Sequence, residues 1–272
     1  MADRFSTHNL EVGNDIVIKR YASWDRGEPH REWAALNLLA EHAPGLAPTP
    51  LEATLDATSP MIVMSRLPGC VLRGQHATEE QISAMAAALN RLHQVPAQVV
   101  EAIEPAPWGP DAAVDKARAW ADRQPDLGDN PLVRRAFQAG AAWLASTAPD
   151  KLTTNPLPPV LGHADGNHAN YLWDDRERRV WLIDWEDSGR NDRAFELGEV
   201  IEHISRIDGT LDETKLLAHI DLASGEAQRV RDFRLLVALC WFFQLGRNGP
   251  ATPHNPVGTL ERQAERILQL LS

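Results

Sequence analysis

The feature that most constrains the fold is a set of three short apolar runs that enclose two polar motifs in the second half of the chain. The runs at 159–162, 171–173 and 180–183 have the length and composition of buried β-strands. The charged segment between the second and third runs predicts a turn, so these two runs are expected to form a hairpin. Polar side chains at the strand ends would then lie at the mouth of a rigid hairpin, where their positions are well defined.

The two motifs supply the residue types that phosphoryl transfer requires. His163, Asp165 and Asn170 lie in the first motif, and Asp184 follows directly after the third apolar run. Asp165 is suited to orient a hydroxyl group, while Asn170 and Asp184 offer the hard oxygen ligands that Mg²⁺ prefers. Phosphoryl transfer depends mainly on positioning and on charge neutralisation, so these side chains form a sufficient set.

A metal-dependent hydrolase is the alternative interpretation of the first motif. His163, Asp165 and His168 are residue types that bind a hydrolytic metal ion. This alternative leaves Asn170 and Asp184 without a role, whereas the phosphoryl-transfer hypothesis uses both. The sequence therefore favours phosphoryl transfer over hydrolysis.

The spacing of the first motif leads to a family resemblance. Asp165 precedes Asn170 by five residues, as in the kinase catalytic loop H-R-D-x-x-x-x-N, although alanine replaces the arginine. With the run Ile-Asp-Trp-Glu at 183–186, this motif resembles that of the aminoglycoside phosphotransferase and choline kinase family. The resemblance implies that Asp165 is the catalytic base, that Asn170 and Asp184 bind Mg²⁺, and that His163 is a scaffold residue bracing the loop.

The same resemblance implies an α+β, two-lobed, protein-kinase-like fold. A small β-rich N-lobe is expected at residues 1–68, with a hinge at about 64–69, and a larger, mainly helical C-lobe at 69–272. At 272 residues and 43% hydrophobic content, the chain is long enough to bury the core of such a molecule. The resemblance further implies ATP or GTP, together with Mg²⁺, as cofactors.

A kinase-like site also requires a lysine for the nucleotide phosphates and a helix glutamate that holds this lysine. Lys19 lies in a short β-branched run, in a Val-Ile-Lys context. The segment that follows has helical periodicity and contains an Arg-Glu-x-x-x-Leu run similar to one in the family. This similarity implies that Glu32 is the partner of Lys19. Arg20 and Glu28 are the alternative candidates for the cation and the carboxylate.

The nucleotide base is expected at the hinge. Two strand-like runs, at 51–54 and 61–64, lead into a Pro-Gly turn that resembles the inter-lobe hinge of the family. The resemblance implies that this region contacts the adenine edge and that residues beside the metal ligands contact its apolar face. The residues concerned are Met64, Ser65 and Leu67 at the hinge, and Leu172 and Ile183 beside the metal ligands.

The chain departs from protein kinases in its phosphate-binding loop. No G-x-G-x-x-G motif precedes Lys19, and the segment at 4–12 resembles a variant loop of the family instead. This resemblance implies that Ser6, Thr7 and Asn9 cradle phosphate oxygens, although the same residue types occupy ordinary turns for local reasons. The first strand is expected to be very short or absent. A weakly active nucleotide-binding module is therefore the alternative to an active kinase.

The distribution of charged residues indicates which kind of acceptor molecule receives the phosphoryl group. The formal net charge of −11 argues against a nucleic-acid partner, and acidic residues are concentrated after the metal motif. Glu196, Glu199 and Glu202 are predicted to lie on one helical face, where they would attract a cationic acceptor. The hypothesis is an O-phosphotransferase for an aminoglycoside-like or other antibiotic, as in resistance enzymes. Choline or ethanolamine, an amino sugar and a nucleoside antibiotic are the alternative acceptors.

The remaining features predict a soluble cytoplasmic protein. No apolar run approaches the length of a membrane span, and the N-terminus lacks the apolar stretch of a secretion signal. The two cysteines, Cys70 and Cys240, are far apart in sequence and both lie in apolar settings, which indicates reduced thiols. No membrane partner is expected, and the sequence does not predict an oligomeric state.

Overall fold

The computed structural model describes residues 8–154, 157–209, 211–248 and 256–272. Its N-terminal part is a four-stranded antiparallel sheet of order β1-β2-β4-β3, with one helix packed against β3 and β4. This part confirms the predicted small β-rich lobe. Its elements are β1 (Asn9–Val12), β2 (Ile16–Arg20), α1 (Glu28–His42), β3 (Pro50–Thr54) and β4 (Met61–Ser65).

The alternation of side chains in this sheet explains why a lysine is buried in it. Lys19 of β2 is directly opposite Ile62 of β4, so the two side chains share one face of the sheet. Ile62 is fully buried, and the apolar side of α1, with Leu36 and Leu39, is also buried in the core of this lobe. Lys19 therefore points toward the interior and not toward solvent.

The chain then enters a larger and mainly helical lobe, as predicted. It contains a three-stranded sheet of order β5-β7-β8, a two-stranded sheet of β6 and β9, and the remaining helices. Short 3₁₀ turns occur at His168–Asn170 and Ile204–Asp208. The elements are β5 (Cys70–Val71), α2 (Glu79–Leu92), α3 (Ala97–Val100), α4 (Pro110–Asp122), α5 (Pro131–Ala145), α6 (Ala148–Thr154), β6 (Val160–Gly162), β7 (Tyr171–Asp174), β8 (Arg179–Leu182), β9 (Gly189–Asn191), α7 (Arg193–Glu202), α8 (Glu213–Ala218), α9 (Glu226–Asn248) and α10 (Thr259–Leu270).

The connection between the lobes is short. β4 ends at Ser65 and β5 begins at Cys70, which pairs with Trp173 of β7 in the second sheet. Gly69 in this connection has a φ of +120°, and a Cβ at this position would overlap the carbonyl of Trp173. The predicted boundary at residue 68 falls in this segment, where the chain passes from one sheet to the next.

The predicted hairpin is present, since β7 and β8 pair antiparallel with Trp173 opposite Val180. The polar loop that precedes it connects β6 to β7 and ends in the first 3₁₀ turn. Helices α7 and α9 pack closely behind this loop, and Trp185, Phe195 and Phe233 are fully buried between the site and the helical core. The polar loop therefore rests on a rigid apolar base.

No helix in the described ranges combines the length and the apolar composition that crossing a bilayer requires.

Candidate active site

Where the two lobes meet, a buried lysine lies among three carboxylates. Lys19 Nζ is 2.6 Å from Glu32 Oε2 and 2.7 Å from Glu186 Oε2, and it also bonds Asp184 Oδ1. Burial opposes the charge of the ammonium group, but the carboxylates of Asp184 and Glu32 outweigh this effect and raise the pKa of Lys19 well above its ordinary value. Lys19, Glu32, Asp184 and Glu186 are called the Lys19 cluster below.

The structure thus brings together Lys19 and Glu32, the pair proposed from the sequence. The two alternative candidates have other partners. Arg20 pairs with Glu11 at 2.7 Å on the outside of the sheet, and Glu28 pairs with Arg26 at 2.9 Å before α1. The Lys19 cluster therefore joins β2 and α1 of the small lobe to the segment that follows β8 in the large lobe.

Two further residues hold the carboxylates of this cluster in place. Tyr21 donates its hydroxyl hydrogen bond to Glu32 Oε2, and His8 Nε2 lies 2.7 Å from Glu186 Oε2. Burial alone would raise the pKa of Glu186, but hydrogen bonds from His8 and Lys19 lower it to about 2. Glu186 is therefore ionised at neutral pH.

Asp165 lies in the polar loop and is held by two donors. The backbone N–H of Asn167 donates to Asp165 Oδ1 at 3.0 Å, and Asn170 Nδ2 donates to Oδ2 at 2.8 Å. This hydrogen bond assigns the amide orientation of Asn170, since its nitrogen faces Asp165 and its carbonyl oxygen remains available for a cation. The predicted base and the predicted amide ligand are therefore in direct contact.

His163 connects this loop to the segment that carries Asp184. Its Nε2 donates to the carbonyl of Ile183 at 2.8 Å, and the N–H of Ile183 donates to the carbonyl of Asn170 at 3.0 Å. The ring also packs edge-on against Trp185, with ring centroids 4.7 Å apart. His163 thus occupies a bracing position between the two motifs.

The backbone is strained on both sides of the site. Ala164 has a φ of 59° and Asp184 a φ of 67°, in the left-handed region that costs non-glycine residues about 1–2 kcal/mol. The N–H groups of His163 and Ala164 both donate to Glu196 Oε2, at 2.9 and 3.1 Å. Such strain persists only where surrounding contacts hold it, and Glu196 supplies these contacts next to Asp165.

This role corrects one prediction about the acidic patch. Glu196 is 3% exposed, and its carboxylate is used by the loop backbone and by Asn191, so it does not contact an acceptor. Glu202 is also wrong as an acceptor ligand, because it is fully buried among arginines. Its ion-pair network, called the Glu202 cluster below, consists of Glu202, Arg206, Arg234, Arg266 and Glu213.

Glu199 differs from its two neighbours on α7. Trp108 Nε1 donates to Glu199 Oε1, whereas Oε2 is buried and has no hydrogen-bond partner among the described residues. Burial raises the pKa of Glu199 to about 8, and the nearby carboxylate of Asp165 contributes to the increase. Of the three glutamates, only this one retains an uncommitted oxygen near the polar loop.

The residues proposed for the nucleotide base lie in three places. Leu172 is buried in β7, and Ile183 is half-buried directly before Asp184. Met64 is buried in β4, and Leu67 is half-buried after this strand. Ser65 is committed within the lobe, because its N–H donates to the carbonyl of Thr49 and its Oγ accepts from the N–H of Thr49. The backbone N–H of Ser65 is therefore not available to a nucleotide.

The phosphate-loop prediction is corrected for Asn9. The expected loop at 4–12 includes β1, where Asn9 is exposed and opposite Arg20, so Asn9 is a strand residue and not a loop residue. β1 is short, with four residues, in line with the expectation from the sequence. Ser6 and Thr7 lie outside the described residues.

The histidines do not support the hydrolase alternative. His163 Nε2 donates to the carbonyl of Ile183, and His168 Nε2 donates to the carbonyl of Val200 at 2.9 Å. Within the described ranges, the one group of three or more His, Cys, Asp or Glu side chains close enough to share a metal ion is Glu32, Asp184 and Glu186, whose ligand atoms lie within 4.8 Å of one another. These donors are all carboxylate oxygens, which suits a hard divalent cation such as Mg²⁺.

Sequence reasoning missed two residues that contact the proposed site. Glu186 is part of the run Ile-Asp-Trp-Glu, and its place in this motif was a signal that could have identified it. His203 Nε2 lies 3.5 Å from Asp165 Oδ1. Nothing in its sequence context indicates this contact, because it depends on how the chain turns after α7.

A two-lobed kinase-like fold with this arrangement of lysine, carboxylates and amide defines the class of small-molecule phosphotransferases. A model of the family described as "Phosphotransferase enzyme family" matches residues 4–233. The chain belongs to this family. No curated protein sequence matches the chain.

Solved structures of similar fold include both antibiotic kinases and a choline kinase. Choline kinase LicA from Streptococcus pneumoniae has a TM-score of 0.61 and 16% identity, over 96% of this chain and 88% of that chain. Spectinomycin phosphotransferase APH(9)-Ia, in complex with ADP and spectinomycin, has a TM-score of 0.59 and 14% identity, over 97% and 94%. An aminoglycoside-3'-phosphotransferase of type VIII has a TM-score of 0.54 and 21% identity, over 88% and 95%. At these identities the likeness shows the shared fold.

Proposed function

We propose that this protein transfers the γ-phosphoryl group of ATP or GTP to a hydroxyl group of a small molecule in a magnesium-dependent reaction. The observation that carries the proposal is the pairing of Lys19 with Glu32 and Asp184, beside the contact between Asp165 and Asn170. Each of these side chains has a distinct task in phosphoryl transfer, and no other chemistry uses all five.

In this proposal, Asp165 orients the acceptor hydroxyl and accepts its proton. Its carboxylate is one-third exposed, so a hydroxyl can reach it, and its two hydrogen bonds define its orientation. Lys19 steadies the α- and β-phosphates, and Glu32 keeps the ammonium group in position. His163 and Glu196 hold the polar loop.

Asp184 and the carbonyl oxygen of Asn170 would hold Mg²⁺. When bound, this ion neutralises negative charge on the transferred phosphoryl group. Asp184 is 30% exposed, whereas the lysine that it bonds is 4% exposed, so Asp184 is the member of the Lys19 cluster that solvent and ligands reach most easily. Lys19 bonds one carboxylate oxygen of Asp184, Oδ1. The strained backbone at Asp184 orients the other carboxylate oxygen.

We propose an acceptor that carries an amino group in addition to its hydroxyl, and an aminoglycoside-like antibiotic is the first candidate. The uncommitted Oε2 of Glu199 is the group that supports this choice, because a buried carboxyl without a partner gains most from an ammonium donor. Choline or ethanolamine, an amino sugar and a nucleoside antibiotic are the other acceptors to test.

The proposal is tested by screening hydroxylated amines and antibiotics for phosphate transfer from ATP and from GTP. Asp165→Asn is the matched control, since it keeps the size of the side chain and removes the base. We expect transfer to at least one acceptor, and a decrease in kcat of about 100- to 10,000-fold in the variant. Undiminished transfer by Asp165→Asn would contradict the assigned base. Nucleotide binding without transfer to any acceptor would favour the alternative of a binding module.

A further inference from the structure

We propose that His203 is a positioning residue for Asp165, and that it acts through the N–H of its Nε2. The expected effect of His203 on turnover rests on the proposed phosphotransferase function, whereas the position of the proton on the His203 ring does not. His203 caps the C-terminus of α7 and its side chain is buried. Its Nε2 lies 3.5 Å from Asp165 Oδ1, on the side of the carboxylate that also accepts from Asn167.

The position of the proton on the His203 ring follows from the hydrogen bond that the other ring nitrogen, Nδ1, accepts. The backbone N–H of Ser205 donates to His203 Nδ1 at 3.1 Å, so Nδ1 must carry a lone pair. A neutral imidazole with an unprotonated Nδ1 has its proton on Nε2, which is the nitrogen that faces Asp165. Burial lowers the pKa of His203 well below its ordinary value, in agreement with a neutral ring.

Ser205 also ties His203 to the polar loop. Its Oγ accepts from the backbone N–H of His168 at 3.0 Å and lies 2.9 Å from His203 Nδ1. Ser205 is fully buried. A single side chain therefore fixes the distance between the imidazole and the loop that carries Asp165, so the two cannot move independently.

The ring is held on its other side by α9. Trp241 contacts His203 edge-on, with ring centroids 4.6 Å apart and an interplanar angle of 77°. This packing and the Ser205 contact leave Nε2 directed at Asp165. The distance of 3.5 Å is longer than a normal N–H···O hydrogen bond, and contacts of this kind shorten when substrate orders an active site.

The consequence is a carboxylate that faces three donors from two parts of the chain. Asn167 and His203 face Oδ1, and Asn170 donates to Oδ2. The two asparagines belong to the same loop as Asp165, whereas His203 directly follows α7 and links the base to the helical core. Loss of this link would let the loop move relative to the core, and misplacement by about 1 Å costs on the order of 100-fold in rate.

The kinetic test compares two substitutions of similar size. His203→Phe retains the contact with Trp241 and removes the donor, whereas His203→Gln places an amide nitrogen near the position of Nε2. We expect kcat to fall about 10- to 100-fold in His203→Phe and to stay within about 3-fold of wild type in His203→Gln, with an unchanged KM for the nucleotide in both. Equal losses in both variants, or an unchanged kcat in His203→Phe, would overturn the proposal.

The control for removal of a buried imidazole is His93→Phe. Both ring nitrogens of His93 are buried and have no hydrogen-bond partner in the part of the chain that the structure describes, and burial lowers the pKa of His93 to about 3. We expect this variant to keep the wild-type kcat. Thermal unfolding of all variants, and binding of a non-hydrolysable ATP analogue, show whether a loss of rate is a loss of folded protein.

A spectroscopic test does not depend on turnover and therefore separates this proposal from the proposed function. Nitrogen-15 NMR of histidine-labelled protein at pH 7, with His203→Gln to assign the resonance, reports which ring nitrogen carries the proton. We expect a protonated Nε2 and an unprotonated Nδ1 in His203, and a shift of the Nε2 resonance in Asp165→Ala. A protonated Nδ1, or an Nε2 resonance unaffected by Asp165→Ala, would overturn the proposal even if the enzyme is active.

Discussion

Two buried ion clusters in this protein have the same kinds of side chains and opposite charge balance. The Lys19 cluster has one cation and three carboxylates, whereas the Glu202 cluster has three arginines and two carboxylates. Both contain a glutamate that is almost inaccessible to solvent, Glu32 in the first and Glu202 in the second. Burial of a charge therefore does not distinguish the functional site from the structural one.

The difference lies in what each cluster leaves unsatisfied. In the Glu202 cluster, the carboxylate of Glu202 accepts from Arg234 at 2.8 Å and from Arg266 at 2.7 and 2.8 Å, which joins α7, α9 and α10. In the Lys19 cluster, a single ammonium group serves three carboxylates, and Asp184 is partly exposed on a strained backbone. Excess negative charge at an accessible position is suited to bind a cation, whereas a network in which arginines bond both carboxylates is suited to hold helices together.

The largest expected effect is that of Lys19→Met, which removes the only cation of the Lys19 cluster. Turnover should fall by at least about 100-fold, because the phosphates lose their positioning charge. Stability should also decrease, by about 3–5 kcal/mol, since three carboxylates lose the ammonium group that they share. Steady-state kinetics and urea unfolding measure the two effects. Arg20→Met is the control on the same strand, and a comparable loss of turnover in this variant would show that position 19 has no special role.

Glu202→Ala should separate stability from activity. It leaves three arginines around an empty position, and breaking a buried network of this kind costs about 3–5 kcal/mol. The kcat per folded molecule should remain near wild type, because the hydrogen bonds and ion pairs of the cluster among the described residues do not involve the polar loop. Chemical unfolding and turnover at a temperature where the variant is folded test this expectation. Glu213→Ala, at the one-third-exposed edge of the same cluster, should lose less stability, and the opposite order would contradict the comparison.

Glu199 is expected to make the stability of the protein depend on pH, and this effect is smaller than the two losses of stability above. The pKa of Glu199 is about 8 in the folded protein, above that of a glutamate in the unfolded chain. Between about pH 4.5 and 8, the folded state therefore keeps a proton on this carboxyl that the unfolded state has released. Stability should therefore fall as the pH rises through this range, by at most about 1.4 kcal/mol per pH unit from this group.

Glu199→Gln should remove this slope and stabilise the protein most at the alkaline end. Urea unfolding of the wild type and the variant at several pH values measures the difference between them. Glu52→Gln, at an exposed position of β3, is the matched control and should change neither slope nor stability. Parallel pH profiles for Glu199→Gln and the wild type would show that the carboxyl is not held in the buried, uncharged form.

The parts of the site that sequence predicted are those encoded by local spacing or by short runs that resemble the family. Asp165 and Asn170 lie five residues apart in one loop, and the resemblance implied the pairing of Lys19 on a strand with Glu32 on the helix that follows it. The hairpin that ends before Asp184 follows from the apolar runs and the turn between them. These features require no knowledge of distant contacts.

The errors arose where distant residues determine the outcome. Helical spacing correctly placed the three glutamates on α7, but the partners of Glu202 come from α9 and α10, 32 and 64 residues away. Glu196 was expected to face an acceptor, whereas it holds the backbone of a strained loop. Helical periodicity predicts which residues lie on the same face of a helix, but it does not reveal what packs against that face.

The most direct test measures the affinity of a non-hydrolysable ATP analogue with and without Mg²⁺, in the wild type and in Asp184→Ala. If the Lys19 cluster is the cation-dependent phosphoryl-transfer site, Mg²⁺ should strengthen binding to the wild type by at least about 10-fold and should have little effect in the variant. Equal affinities with and without Mg²⁺ in the wild type, or an undiminished effect of Mg²⁺ in Asp184→Ala, would contradict that assignment.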